Sequence, residues 1–379
     1  MAFLIMVILC ILGIVMPKSR GASILILLYM WIFYGFSTYS GDYISYQYVY
    51  DSMKNGLLLF HFEPAFSLLM LFCSKLGLSF TGFKIVLSSI FIAMLAGIVK
   101  KYTNYTAFVL AMFLIFPFSY FASVLRAGIA GLIIVYGIDY LVPCSQKENK
   151  GKYLLCVLAA MLFHTSSLFF LVFLLAGKEV NIKRILSILI VMSGVVIAYY
   201  FGFFYYIISF FTNSEKILSW LTYESANNLL NWKGVLSQIF VLMGIVWCIR
   251  KSKNISNHVL KVSGQPETCE NKVRLHQTVF NCNVWMCLLI PFFFITSVWM
   301  RFLWEFSLIN ICVCANTIEI VRVYSKKPSG RKLVVPVVGI ILFFGQILLL
   351  YYTNMPYRGT TDSVWLMFKN NLIFERFLF

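Results

Sequence analysis

Residues 152–178 read KYLLCVLAAMLFHTSSLFFLVFLLAGK: two apolar runs on either side of a polar knot at His164, with a lysine at each end. A helix rises about 1.5 Å per residue, so neither run alone crosses a hydrocarbon core of about 30 Å. The stretch predicts a broken or re-entrant pair with His164 at its tip. Its rival is one long helix with the loop 178–184 on the outer side. Non-helical backbone at membrane depth survives only where it lines protein or a water-filled cavity, so the break itself marks a place of interest.

The rest of the chain agrees with a membrane setting. Of 379 residues, 61% are hydrophobic and 12% charged, and mean hydropathy is +0.85. Soluble domains carry about 25% charged residues, so a water-soluble enzyme is excluded. The expected fold is all-α, a polytopic integral membrane protein of about 10–12 transmembrane or re-entrant helices. Residues 1–379 are expected to form a single transmembrane domain with no separate soluble domain, since the longest polar run, 250–277, is short. The 31 Lys and Arg against 14 Asp and Glu give +17. In a membrane protein this marks cytoplasmic loops rather than a nucleic-acid partner. Basic groups at 18–20, 100–101, 147–152, 178–184, 250–274 and 322–332 are expected inside. The amino terminus, 37–63, 120–126, 212–232, 297–302 and the tail from 353 are expected outside. Residues 1–16 lack a basic leader and a small-residue cleavage site and read as a retained helix. The ten cysteines sit mostly in apolar runs without CxxC spacing, giving neither a zinc site nor a disulfide framework. No metal and no cofactor is expected.

Charged groups at membrane depth cost at least about 2.5–3.5 kcal/mol each, so they are functional or paired by default. The loop SGDYISYQYVYD at 40–51 carries Asp42, and its Tyr43, Tyr46 and Tyr50 share a helical face expected at the membrane interface. Glu63 precedes Pro64, and proline suits the first turn of a helix, which sets a carboxylate at that helix's entry. Arg126 lies far from any basic cluster; its fork suits phosphate oxygens, with snorkelling as the plainer reading. His164 adjoins Thr165, Ser166 and Ser167, and is either a hydrogen-bonded packing residue or a base. Arg301 and Glu305 stand at i,i+4 and could pair across a helix face.

Four pieces in order, Gly-Asp-Tyr-x-x-Tyr at 41–46, Glu-Pro-x-Phe at 63–66, Leu-Arg-x-Gly-Ile-Ala at 125–130 and Phe-His-x-Ser-Ser-Leu at 163–168, resemble the EpsG and O-antigen polymerase (Wzy-type) group. Arg301-Phe302 resembles that group's late arginine, whereas Ser40 stands before Gly41 where an arginine is expected. The resemblance implies a multi-pass protein of the bacterial inner membrane, with a GT-C-like arrangement as one form. It would join undecaprenyl-diphosphate-linked oligosaccharide units of O-antigen, capsule or exopolysaccharide on the periplasmic side. Donor, acceptor and membrane lipids would be its partners, together with a chain-length regulator and a flippase.

In that chemistry the leaving group is an anionic diphosphate, which calls for cationic donors. Arg126 and Arg301 are the candidates. The acceptor hydroxyl needs a base, for which His164 and Glu63 qualify ahead of Asp42. Tyr43, Tyr46, Ser166 and Glu305 complete the expected sugar- and lipid-binding set. Two other readings stay open: a GT-C-type polyprenyl-phosphate-dependent glycosyltransferase centred on Asp42, and a flippase or transporter in which Arg126 and His164 bind a headgroup or relay protons. A membrane acyltransferase is weaker still. Transporters usually carry inverted repeats, and none is visible.

Overall fold

The computed structural model describes residues 2–40, 42–57, 61–143, 148–176, 182–209, 232–264, 266–293, 299, 301–325, 367 and 369–374. Among them the chain is helical throughout, apart from one bridge between Ser37 and Asn371. In chain order the first nine helices are α1 (Ala2–Val15), α2 (Arg20–Phe36), α3 (Tyr43–Lys54), α4 (Pro64–Lys75), α5 (Phe80–Tyr102), α6 (Thr106–Ile115), α7 (Phe118–Ser123), α8 (Leu125–Gly137) and α9 (Lys150–Met161). A 3-10 segment, Thr165–Leu175, follows. Then come α10 (Ile182–Tyr200), α11 (Phe203–Ser209), α12 (Trp232–Ser263), α13 (Pro266–Met286), α14 (Ile290–Phe293), α15 (Arg301–Glu305) and α16 (Ser307–Tyr324).

Local chemistry explains several starts. The Ser19, Ser79 and Asn149 side chains accept from the amides of Ala22, Gly82 and Lys152, satisfying donors that a helix N-terminus leaves free. Pro64 opens α4 from its first turn. The expected break in 153–177 is present: α9 ends at Met161, His164 is extended, and the 3-10 segment folds back, with the Tyr153 hydroxyl donating to Phe170 O at 3.0 Å. The two apolar runs expected in 64–99 are α4, of 12 residues, and α5, of 23.

The expectation is about 10–12 transmembrane or re-entrant helices. Among the described residues only Phe80–Tyr102 and Ser307–Tyr324 are long and apolar enough to cross a membrane, and six further apolar helices have 10–17 residues. The physical reason is that apolar stretches are interrupted by short irregular joints, as between α6, α7 and α8. The expected outer segments 212–232 and the tail from 353, together with Gly41, Lys147, Lys178, Lys326, Lys327, Arg331 and Lys332, fall wholly or almost wholly outside the described residues.

α2 packs against α5, α1 against α6, and α12 against both α13 and α16. All of 307–321 in α16 is buried. Close packing has a steric signature at Gly13, where an added Cβ would lie 2.6 Å from Ala107 O and from Ala111 Cβ. Gly13→Ala is therefore expected to destabilise the chain by about 1–3 kcal/mol, read as a lower melting temperature in detergent; an unchanged melting temperature would mean that α1 and α6 do not touch this closely.

Basic residues distant in sequence share one end of the fold. Glu319 Oε1 lies 2.8 Å from Lys18 Nζ, its Oε2 lies 3.0 Å from Lys272 Nζ, and Asn104 Nδ2 donates to Oε1 at 3.3 Å. At the far end of α2, Lys84 is only 1% exposed and donates to Ser37 O and Ser37 Oγ. There Thr38 N donates to Asn370 O and Leu372 N to Phe36 O, so residues 370–372 are laced to the end of α2.

Candidate functional site

Three joints in the chain meet: the start of α4, the start of α8 and the tip between α9 and the 3-10 segment. Ala65 N donates to Leu162 O at 2.9 Å, fastening the tip to α4. Just ahead of Pro64, the Phe62 amide donates to Ser67 Oγ at 3.2 Å while Ser67 Oγ donates to Phe62 O at 3.0 Å. This reciprocal pair fixes the Phe62 ring below Arg126, whose guanidinium carbon is 4.6 Å from the ring centroid.

Arg126, in the first turn of α8, is held by two directed contacts. Its Nη1 pairs with Glu63 Oε2, and its Nε donates to the Tyr46 hydroxyl at 3.2 Å. Glu63 uses its other oxygen at the tip. Oε1 accepts from the Thr165 amide at 3.1 Å and from the Thr165 hydroxyl at 3.4 Å, and it lies 3.4 Å from His164 Nδ1. That last contact has ion-pair distance without hydrogen-bond alignment, since Nδ1 has no hydrogen-bond partner. A carboxylate so placed sets the imidazole's orientation, and Nε2 has no partner among the described residues. Arg126, Glu63 and His164 retain 24%, 12% and 19% side-chain exposure, so the cluster is recessed but open.

Burial on its own would raise the Glu63 pKa, but the His164 ring, the Thr165 amide and the Arg126 charge outweigh it and bring the carboxyl down to about 2. Glu63 is thus a poor base near neutrality and a good fixed anion. With the folded value below the ordinary 4.5, its contribution to stability is complete above about pH 4.5 and fades as pH falls toward 2. Melting temperatures of wild type and Glu63→Gln should accordingly differ by a constant amount above pH 5 and converge as pH approaches 2. A gap unchanged down to pH 3 and below would show that the charge of Glu63 does not hold the cluster.

The structure brings together Glu63, Arg126, His164 and Tyr46 from the expected set. Tyr46 and Tyr50 do share a face with Tyr43, but that face turns inward, which corrects the expected interfacial placement. Tyr46 is 2% exposed and packed by Phe62 and Phe66, Tyr50 lies against Phe80 and Phe83, and Tyr43 packs on Phe80. Tyr46 therefore offers Arg126 a hydroxyl rather than a sugar a ring face. Asp42 is exposed at the start of α3 and caps no backbone amide with its side chain. Ser166 is exposed; its neighbour Ser167 is the buried one.

Arg301 and Glu305 do not pair as their spacing suggested. Arg301 lies over the Tyr120 ring at 5.8 Å, and Glu305 is buried with its Oε2 unpartnered. α15 spans just those five residues, too short for an i,i+4 stripe to form a regular face. Glu305 packs instead on α8, where a Cβ at Gly131 would lie 3.1 Å from Glu305 Cβ and Cγ. Tyr120 lies within electrostatic reach of Arg301, Glu305 and Tyr46.

Sequence reasoning passed over Lys84, although a lysine inside the apolar run FTGFKIVL is itself a signal. It also passed over Phe62 and Ser67, whose roles appear only once the joint at 62–67 has formed. Among the described residues no three His, Cys, Asp or Glu side chains gather as metal ligands would.

Residues 22–359 match the model of the EpsG family. No curated protein and no solved structure matches the chain.

Proposed function

Because the chain belongs to the EpsG family, a Wzy-like polymerase family, we propose that it is a multi-pass inner-membrane polymerase that joins polyprenyl-diphosphate-linked oligosaccharide units into a surface polysaccharide. The observation that carries this reading is the cluster in which Glu63 aligns the Arg126 guanidinium on one side and the His164 ring on the other. An arginine fork suits the oxygens of a diphosphate leaving group, and an oriented imidazole suits taking a proton from an acceptor hydroxyl.

In the proposed step an acceptor hydroxyl gives its proton to His164 Nε2 as its oxygen bonds to the donor's anomeric carbon. The bond from that carbon to the diphosphate oxygen breaks, and the electron pair leaves with the diphosphate. Arg126 faces the growing negative charge, held at a fixed angle by Glu63 and Tyr46 so that little reorganisation is needed. Arg301, over the Tyr120 ring, would meet a second anionic group. The neutralising presence of Glu63 makes the pocket a directional donor rather than a general anion trap.

The gathering of Lys18, Asn104 and Lys272 around Glu319 supports one cytoplasmic end, with the lacing of 36–38 to 370–372 at the other. Two measurements test the reading together. Cells lacking the chain should accumulate single lipid-linked repeat units, and the purified chain in vesicles should convert those extracted units into a ladder of longer products. Reporter fusions should place Lys152 and Lys261 in the cytoplasm and Ser52 outside. Movement of the units across the vesicle without elongation would replace the polymerase by a transporter.

A further inference from the structure

Directly beside the cluster lies a cavity of about 370 Å³, lined by Ala65, Leu68, Leu69 and Phe72 of α4, Leu87 and Ile90 of α5, Ile129 of α8, and Phe163. The lining is wholly apolar. Leu87 and Ile129 are buried and form its floor, while Leu68, Phe72 and Ile90 are exposed and form an open lip. The segments that supply Glu63, Arg126 and His164 also supply walls: Ala65 follows Glu63 by two residues, Ile129 lies about one turn beyond Arg126, and Phe163 adjoins His164.

A polar cluster that changes without a break into an open apolar groove fits an amphiphile with its anionic head at Arg126 and its chain leaving sideways. The volume lies at the low end for ligand pockets. It suits the head-proximal part of a single chain better than the paired acyl chains of a phospholipid. Resting on the function proposed above, we infer that the groove between α4, α5 and α8 holds the first isoprene units of the substrate whose diphosphate is held at Arg126.

The test compares farnesyl diphosphate with inorganic diphosphate as ligands of the full chain in detergent or nanodiscs. Wild type should bind the farnesyl form at least about 10-fold more tightly, because several buried methylenes each favour it. Leu69→Trp, which fills the groove, and Leu68→Lys, which puts a charge on the exposed lip and endangers folding least, should each remove most of that preference. Preference retained in both variants would overturn the assignment. So would equal binding of the two probes by wild type, which would leave the diphosphate site standing without a tail groove. If wild type bound neither probe, the anion reading at Arg126 would fall and the groove with it. A groove-dependent preference for phosphatidic acid over farnesyl diphosphate would make the occupant an ordinary phospholipid and overturn the isoprenoid assignment.

Discussion

Replacing Arg126 with lysine is expected to lower chain elongation about 10²- to 10³-fold, close to the loss from alanine, with the protein still made and inserted at wild-type levels. The guanidinium spends Nη1 on Glu63 and Nε on Tyr46, and its carbon lies 4.6 Å from the Phe62 ring centroid. An ammonium can keep the charge and one of these contacts, but it cannot hold both while presenting further N–H groups to a phosphate. Tyr46→Phe serves as the graded control, since it removes only the hydroxyl and should cost about 0.5–1.5 kcal/mol of alignment. Polymer length on gels, beside immunoblots for abundance, checks all three variants. Long polymer from the lysine variant would reduce Arg126 to a point charge or a membrane anchor.

His164→Gln is expected to lose about 10²- to 10⁴-fold in rate while donor binding and protein level persist. Glutamine preserves approximate volume and can still reach Glu63 or Thr165, so the tip should remain folded. What it lacks is the ability to take a proton. Capped single units should then accumulate while the extracted donor still binds. If His164 only packs, the damage should appear as reduced abundance with normal activity per molecule. Glu63→Gln belongs beside it. The low pKa of Glu63 assigns it alignment rather than proton transfer, so its variant should weaken both donor binding and rate.

Much of this site was legible because its residues interrupt apolar sequence. His164 stands out in HTSS between two runs too short to span, and Glu63 is flagged by the proline after it. Arg126 stands apart from every basic cluster. Each was readable as an exception, and the structure joins the exceptions. What stayed hidden depends on facing rather than identity. Helical spacing put Tyr43, Tyr46 and Tyr50 on one face but could not tell whether that face met solvent, lipid or protein. The Arg301 and Glu305 spacing suggested a pair, yet α15 ends at Glu305 and the two side chains take different neighbours. For the fold, hydropathy marked apolar stretches more readily than where each helix ends, because a joint such as 116–124 between α6 and α8 is itself largely apolar.

The lacing of 36–38 to 370–372 joins positions 332 apart in sequence at Thr38 and Asn370. A ribosome has therefore delivered α2 and every element of the Glu63, Arg126 and His164 cluster well before Asn370 emerges. Ser37, which accepts from Lys84 Nζ, gains its bridge to Asn371 only then. A chain halted before 370 would carry Glu63, Arg126 and His164 without the segment that is hydrogen-bonded to the end of α2.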